Sequence, residues 1–163
     1  MDVLREGITD AYKLDGATSA AVLVVSAGAF AQQAMGTADD AKAMLMKAVA
    51  AVKADRDVAL AMFNKGEGGF KDRDLYVFCS RASDGKGLAG PVSVPSGTDN
   101  RTLKDPTGKE FGKELYAAAQ KPEGQITEVS YMFPKPGTTA PAVPKLSFVT
   151  KVSDLICGVG YYK

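Results

Sequence analysis

Lys145 and four aromatic side chains, Tyr76, Phe78, Tyr131 and Phe133, are the residues whose types and spacing point to chemistry, and that chemistry is the capture of a small anion. Thr127, Val129, Tyr131 and Phe133 recur at every second position, which places them on one face of a strand. Pro134 and Pro136 stop that run, Pro141 and Pro144 bound the loop after it, and residues 145–152 and 155–162 follow as two more strands at hairpin distance. A lysine on a sheet beside aromatics is costly to bury unless it meets an anion, and a ligand carboxylate in a mostly apolar cavity would satisfy it. Tyr131 and Tyr76 would add hydroxyl donors, and Arg101, in a loop able to fold over the site, would be a second cation. Exposure is the competing reading of Lys145, because Lys145, Ser147 and Lys151 share one strand parity opposite Leu146 and Phe148. Taken singly, such aromatics pack in a core more often than they touch a ligand.

Other chemistry has little to work with. The chain has no histidine, which removes the usual general base, the common nucleophile triads and most zinc and iron sites. Asp72, Asp74, Asp84, Asp99 and Asp105 fall in turns and loops, where carboxylates ordinarily accept from backbone N–H groups. Residues 99–105 lack the ligand spacing of a calcium loop. Residues 85–90 spell G-x-G-x-x-G, but Pro91 and a β-branched run follow where a dinucleotide-binding turn needs a helix. Neither an enzyme, a metal site nor a cofactor is expected. Basic and acidic residues number 20 and 19 and are interspersed, so there is no basic stripe and nucleic acid is not an expected partner.

The elements that must position the site follow from periodicity. With 163 residues the chain is long enough to bury a core as one domain without staples. Thr37 is a good N-cap, and Ala41, Met44, Leu45, Ala48, Val49, Val52, Ala59, Met62 and Phe63 form one apolar stripe, predicting a single long helix that Gly66 ends. Residues 75–80 read as a strand whose Leu75, Val77 and Cys79 face the helix and whose Tyr76 and Phe78 face the other way. Asp84-Gly85 turns the chain into a strand over 88–94, residues 95–108 form a loop, and residues 109–120 a short helix. The fold class is therefore α+β: a long N-terminal helix packed on a five-stranded antiparallel sheet, with a short covering helix.

Residues 17–29 form an uncharged, largely apolar run and Ala29-Phe30-Ala31 a small-x-small site, together the outline of a signal peptide over residues 1–31. Asp2, Glu6, Asp10 and Asp15 against Arg5 and Lys13 run counter to the positive start of such a leader, and a buried helix is the alternative.

Several short motifs stand in a telling succession: Leu75-Tyr76-Val77-Phe78, Asp84-Gly85, Ala89-Gly90-Pro91, residues 103–109 (LKDPTGK), Tyr131-Met132-Phe133-Pro134-Lys135-Pro136, Pro144-Lys145-Leu146-Ser147-Phe148 and Gly158-Val159-Gly160-Tyr161. In this order, over residues 37–162, the chain resembles a single Cache domain of type 2, the PAS-like module of extracytoplasmic sensors. Gly90 and Phe133 depart from it, standing where the family often has histidine and tryptophan. The resemblance implies a non-catalytic, periplasmic domain over residues 37–163 that binds a small organic acid of the acetate, lactate or pyruvate kind at Tyr76, Phe78, Arg101, Tyr131, Phe133 and Lys145. It also makes the first and last long strands neighbours, which implies a Cys79–Cys157 disulfide; two free buried cysteines are the alternative. A chain ending directly after its last strand reads as a free-standing secreted binder that presents its ligand to a membrane receptor or transporter, or as a homodimer through the long helix. The second functional reading is a structural or interaction module that keeps the fold without the ligand.

Overall fold

Thr37 starts the first helix through a reciprocal pair of hydrogen bonds in the computed structural model, which describes residues 35–163. Its Oγ1 accepts the Asp40 amide at 3.2 Å while Asp40 Oδ2 accepts the Thr37 amide at 3.1 Å, satisfying two donors that a helix end leaves unpaired. Helix α1 (Ala38–Ala54) buries Ala41, Met44, Leu45, Ala48, Val49 and Val52, the stripe read from the sequence. The expected single helix is nevertheless two. At Asp55 the backbone becomes extended (φ −158°, ψ 108°), and its side chain accepts the amides of Asp57 and Val58 at 3.1 and 3.0 Å. Asp55 thus serves as the N-cap of α2 (Arg56–Lys65), a role aspartate fills better than a helix interior.

The strands are β1 (Lys71–Asp72), β2 (Leu75–Arg81), β3 (Gly87–Ala89), β4 (Thr127–Pro134), β5 (Ala142–Val152) and β6 (Leu155–Tyr162). They form an antiparallel sheet with the order β1-β2-β6-β5-β4, and β3 pairs beside β2. Five strands make the main path, as expected, though the two-residue β1 takes the place counted for β3. The strand expected over 88–94 is reduced to three residues, because the chain leaves the sheet at Gly90 and Pro91 brings no N–H to continue a ladder.

Both faces of this sheet are covered. Leu75, Val77 and Cys79 of β2, Leu146 and Phe148 of β5, and Val159 of β6 pack with α1 and α2 in one cluster. On the other face Val129 and Tyr131 of β4, Val149 of β5 and Ile156 of β6 pack with Phe111 and Leu115 of α3 (Phe111–Ala117). Cys79 and Cys157 lie directly opposite each other in the β2–β6 pairing and form the disulfide, with Cα atoms 4.1 Å apart. The outer edge of β4 is held by the loop before α3. Asp105 accepts the Met132 amide at 3.0 Å as well as the Thr107 and Lys109 amides, and Lys109 Nζ donates to the Ser130 carbonyl. An edge engaged in this way is a poor template for another strand.

Candidate functional site

The second sheet face bears a half-open cavity of about 240 Å³. Tyr76 and Phe78 from β2 and Tyr131 and Phe133 from β4 form its sheet wall, Phe111 and Leu115 its helical wall, and the loop from Gly90 to Ser96 its outer cover. The aromatics hold one another in place. Phe111 stacks on Tyr131 with centroids 4.2 Å apart and planes within 2°, and Phe133 meets both rings edge-on. Pairs of this kind contribute about 0.5–1.5 kcal/mol beyond their buried area, so the wall is largely preformed.

Lys145 lies behind that wall. It is only 1% exposed, its Nζ donates to Tyr76 Oη at 2.7 Å and contacts Tyr162 Oη at 3.4 Å, and it sits 4.2, 4.7 and 5.2 Å from the ring centroids of Tyr76, Tyr162 and Phe133. Burial pushes its pKa down to about 7, opposed by the Asp74 carboxylate nearby. One oxygen of Asp74 accepts the Gly36 amide at 2.6 Å, and the other is buried with no partner among the described residues. Burial likewise raises the phenol of Tyr76 well above its ordinary range, and that of Tyr162, whose Oη donates to the Pro134 carbonyl at 2.6 Å. The cluster is a buried amine surrounded by phenols and ring faces, with no carboxylate hydrogen-bonded to it among the described residues.

The G-x-G ending of the chain makes room for this arrangement. Gly158, Gly160 and Tyr162 share the cavity-side face of β6. A Cβ at Gly158 would collide with the Phe78 ring, and one at Gly160 with Ser147 Oγ and Lys145 Cε. Both glycines therefore allow side chains of neighbouring strands to lie flat across β6.

Four of the six residues singled out in the sequence, Tyr76, Phe78, Tyr131 and Phe133, line the cavity, and Lys145 stands directly behind two of them. The Tyr131 hydroxyl is already engaged, 2.9 Å from Ser147 Oγ, with burial pushing its pKa up to about 12. Arg101 is placed elsewhere. It pairs with Asp99 at 2.7 Å, leans toward the Tyr116 ring at 5.4 Å and does not line the cavity. Sequence reasoning passed over Phe111, Asn100, Leu103 and the 91–96 loop, which approach the cavity from distant positions and carry no local signal. Tyr162 did carry one, being in step with Gly158 and Gly160 at a period of two.

Residues 22–162 match the Single Cache domain 2 family. The chain belongs to that family. Cache domains are ligand-binding sensor modules without catalytic chemistry, which agrees with a preformed cavity in a chain that has no histidine. The match begins upstream of Thr37, within the stretch read as a leader; residues 1–34, and with them the expected cleavage site, lie outside the described residues. This Cache domain is similar in fold to a methyl-accepting chemotaxis protein from Vibrio parahaemolyticus, with 24% identity, a TM-score of 0.57, and coverage of 76% of this chain and 86% of that one. A periplasmic sensor domain of a chemotaxis protein matches at 22% identity and a TM-score of 0.54, covering 76% of this chain and 88% of its own. A Cache chemosensory domain described by its carboxylic acid recognition matches at 22% identity and a TM-score of 0.53, covering 76% and 86%. No curated protein matches the chain.

Proposed function

We propose that this Cache domain binds a small organic acid on the extracytoplasmic side of the membrane, with the carboxylate at Tyr76 and Lys145 and the body of the ligand against Phe78, Tyr131 and Phe133. The observation that carries this reading is Lys145, an almost fully buried amine whose hydrogen-bonding partners are phenols. Removing an ammonium ion from water without an anion is costly, and a carboxylate arriving at the adjacent cavity offsets that cost across Tyr76, whose hydroxyl accepts from Lys145 and donates to the carboxylate. A ligand that restores the charge of Lys145 would therefore be held more tightly than a neutral molecule of the same shape. The likeness to a Cache domain that recognises carboxylic acids supports the same class, and the Cys79–Cys157 bridge suits an oxidising compartment such as the periplasm. The protein partner compatible with this reading is a membrane receptor or transporter that reads the loaded state, or a second copy of the chain meeting it through α1 and α2.

A thermal-shift screen over aliphatic and aromatic carboxylates tests the proposal. A bound acid present at 100 times its dissociation constant raises stability by about 2.7 kcal/mol, and the matching amides and alcohols leave it unchanged. Acids and their neutral amides producing equal shifts, or no acid producing any, would refute it.

A further inference from the structure

The cavity and a second depression share a wall, and one residue at their junction has no side chain. A groove of about 640 Å³ lies outside the cavity between the end of α2 and the β4–β5 hairpin, and Tyr76, Gly90, Pro91, Val92 and Phe133 border both. Gly90 is not required there by the backbone, because its φ lies outside the left-handed region. Nor does a neighbour crowd it. A Cβ at this position would touch only Phe78 Cβ, at 3.6 Å, an ordinary van der Waals contact. What glycine contributes at position 90 is open space in the partition between groove and cavity.

We propose that Gly90 holds open the mouth of the binding cavity and so determines ligand size, admitting an acid with an apolar body of about six to nine carbons, ring-bearing or branched. This rests on the acid reading above and narrows it. A cavity of about 150 Å³ lined by aliphatic and aromatic side chains takes up a whole benzene molecule, and the cavity here is about 240 Å³. Phe78, Leu103, Phe111, Leu115 and Tyr131 present carbon to most of its interior. A two- to four-carbon acid leaves much of that wall without a contact partner, whereas a larger apolar body gains dispersion over all of it. Tyr76, with Lys145 behind it, stands at the junction itself, so the acid enters body first and its carboxylate stays at the mouth.

The test compares wild type, Gly90→Ala and Gly90→Leu with acetate, hexanoate and benzoate as probes by calorimetry, and with dissolved xenon as a charge-free probe by methyl NMR. Wild type binds hexanoate or benzoate at least about tenfold more tightly than acetate, Gly90→Leu loses at least about tenfold for these larger acids, and Gly90→Ala loses little. Xenon exchanges at the methyls of Leu103 and Leu115 at the same rate in wild type and Gly90→Ala and at least about tenfold more slowly in Gly90→Leu. An unchanged xenon exchange rate in Gly90→Leu overturns the mouth; tightest binding of acetate by wild type overturns the size class. If no acid binds while leucine still slows xenon exchange, the acid reading and the size class fall together and the mouth at Gly90 stands.

Discussion

Replacing Lys145 with methionine flattens the pH dependence of folding stability between pH 7 and 9.5. Burial places the pKa of the folded-state lysine at about 7 against an ordinary 10.5, so across that interval the unfolded chain binds the proton more tightly than the folded one. Stability therefore rises with pH. The penalty of the buried ammonium is present in full below pH 7, shrinks as pH rises, and is gone above 10.5. Each pH unit between the two values is worth about 1.4 kcal/mol, which amounts to about 3 kcal/mol from pH 7 to 9.5 after allowing for partial titration at both ends. The range stops short of the tyrosines, whose raised folded-state pKa values act in the opposite direction once unfolded phenols ionise near pH 10. Methionine keeps the length of the side chain and suits three aromatic rings, but carries no proton to lose. Urea denaturation of both proteins at half-unit pH steps provides the measurement, with the difference in slope as the readout. Parallel curves for wild type and Lys145→Met would show that the amine titrates normally, and would remove the electrostatic ground on which the carboxylate reading stands.

Gly160→Ala drives a methyl group into Ser147 Oγ and Lys145 Cε, and is expected to cost about 1–3 kcal/mol in denaturant unfolding while weakening any acid that relies on Lys145. The double change Cys79→Ala, Cys157→Ala removes a bridge between residues 78 apart in sequence and is expected to lower stability by about 4 kcal/mol in the chain-entropy model; two free thiols in unreduced, denatured wild type would contradict the bridge itself. In Asp105→Ala the Met132, Thr107 and Lys109 amides lose their common acceptor, so hydrogen exchange at Met132 should quicken while that in β6 is unchanged. The Asp105 carboxylate, held down to about 2 first by the Thr107 hydroxyl and then by the Met132 amide, keeps that edge in place until the pH falls from about 4 toward 2; earlier loss of Met132 protection would count against it.

Much of the fold was legible because its signals are local. The capping pair Thr37 and Asp40, the helical stripe to Val52, the turn at Asp84-Gly85 and the alternation of Leu75, Val77 and Cys79 against Tyr76 and Phe78 each need only neighbouring residues to be read. Asp55 shows how a local signal can be overlooked, since an apolar pattern that stays in phase across it hides a residue better suited to capping. Arg101 shows the opposite limit, being a free cation in the sequence and the partner of Asp99, two residues away, in the fold.

The sequence by itself determined the α+β class, the faces of the strands and four aromatics of the cavity wall, because a side-chain period of two assigns faces whatever the strand pairs with. It could not place Lys145. The parity that set Lys145 and Ser147 opposite Leu146 and Phe148 was correctly read, yet it indicates exposure only if one face of the sheet meets water. Here α1 and α2 cover one face and α3 with its loops the other, so both parities are buried. Only the tertiary structure decided that the lysine lies among Tyr76, Tyr162 and Phe133, because its surroundings come from three other strands and from the space left by Gly160. The same holds for the place of Gly90 on the border of both cavity and groove, which arises where a loop, a helix end and a hairpin meet and is written in no local pattern.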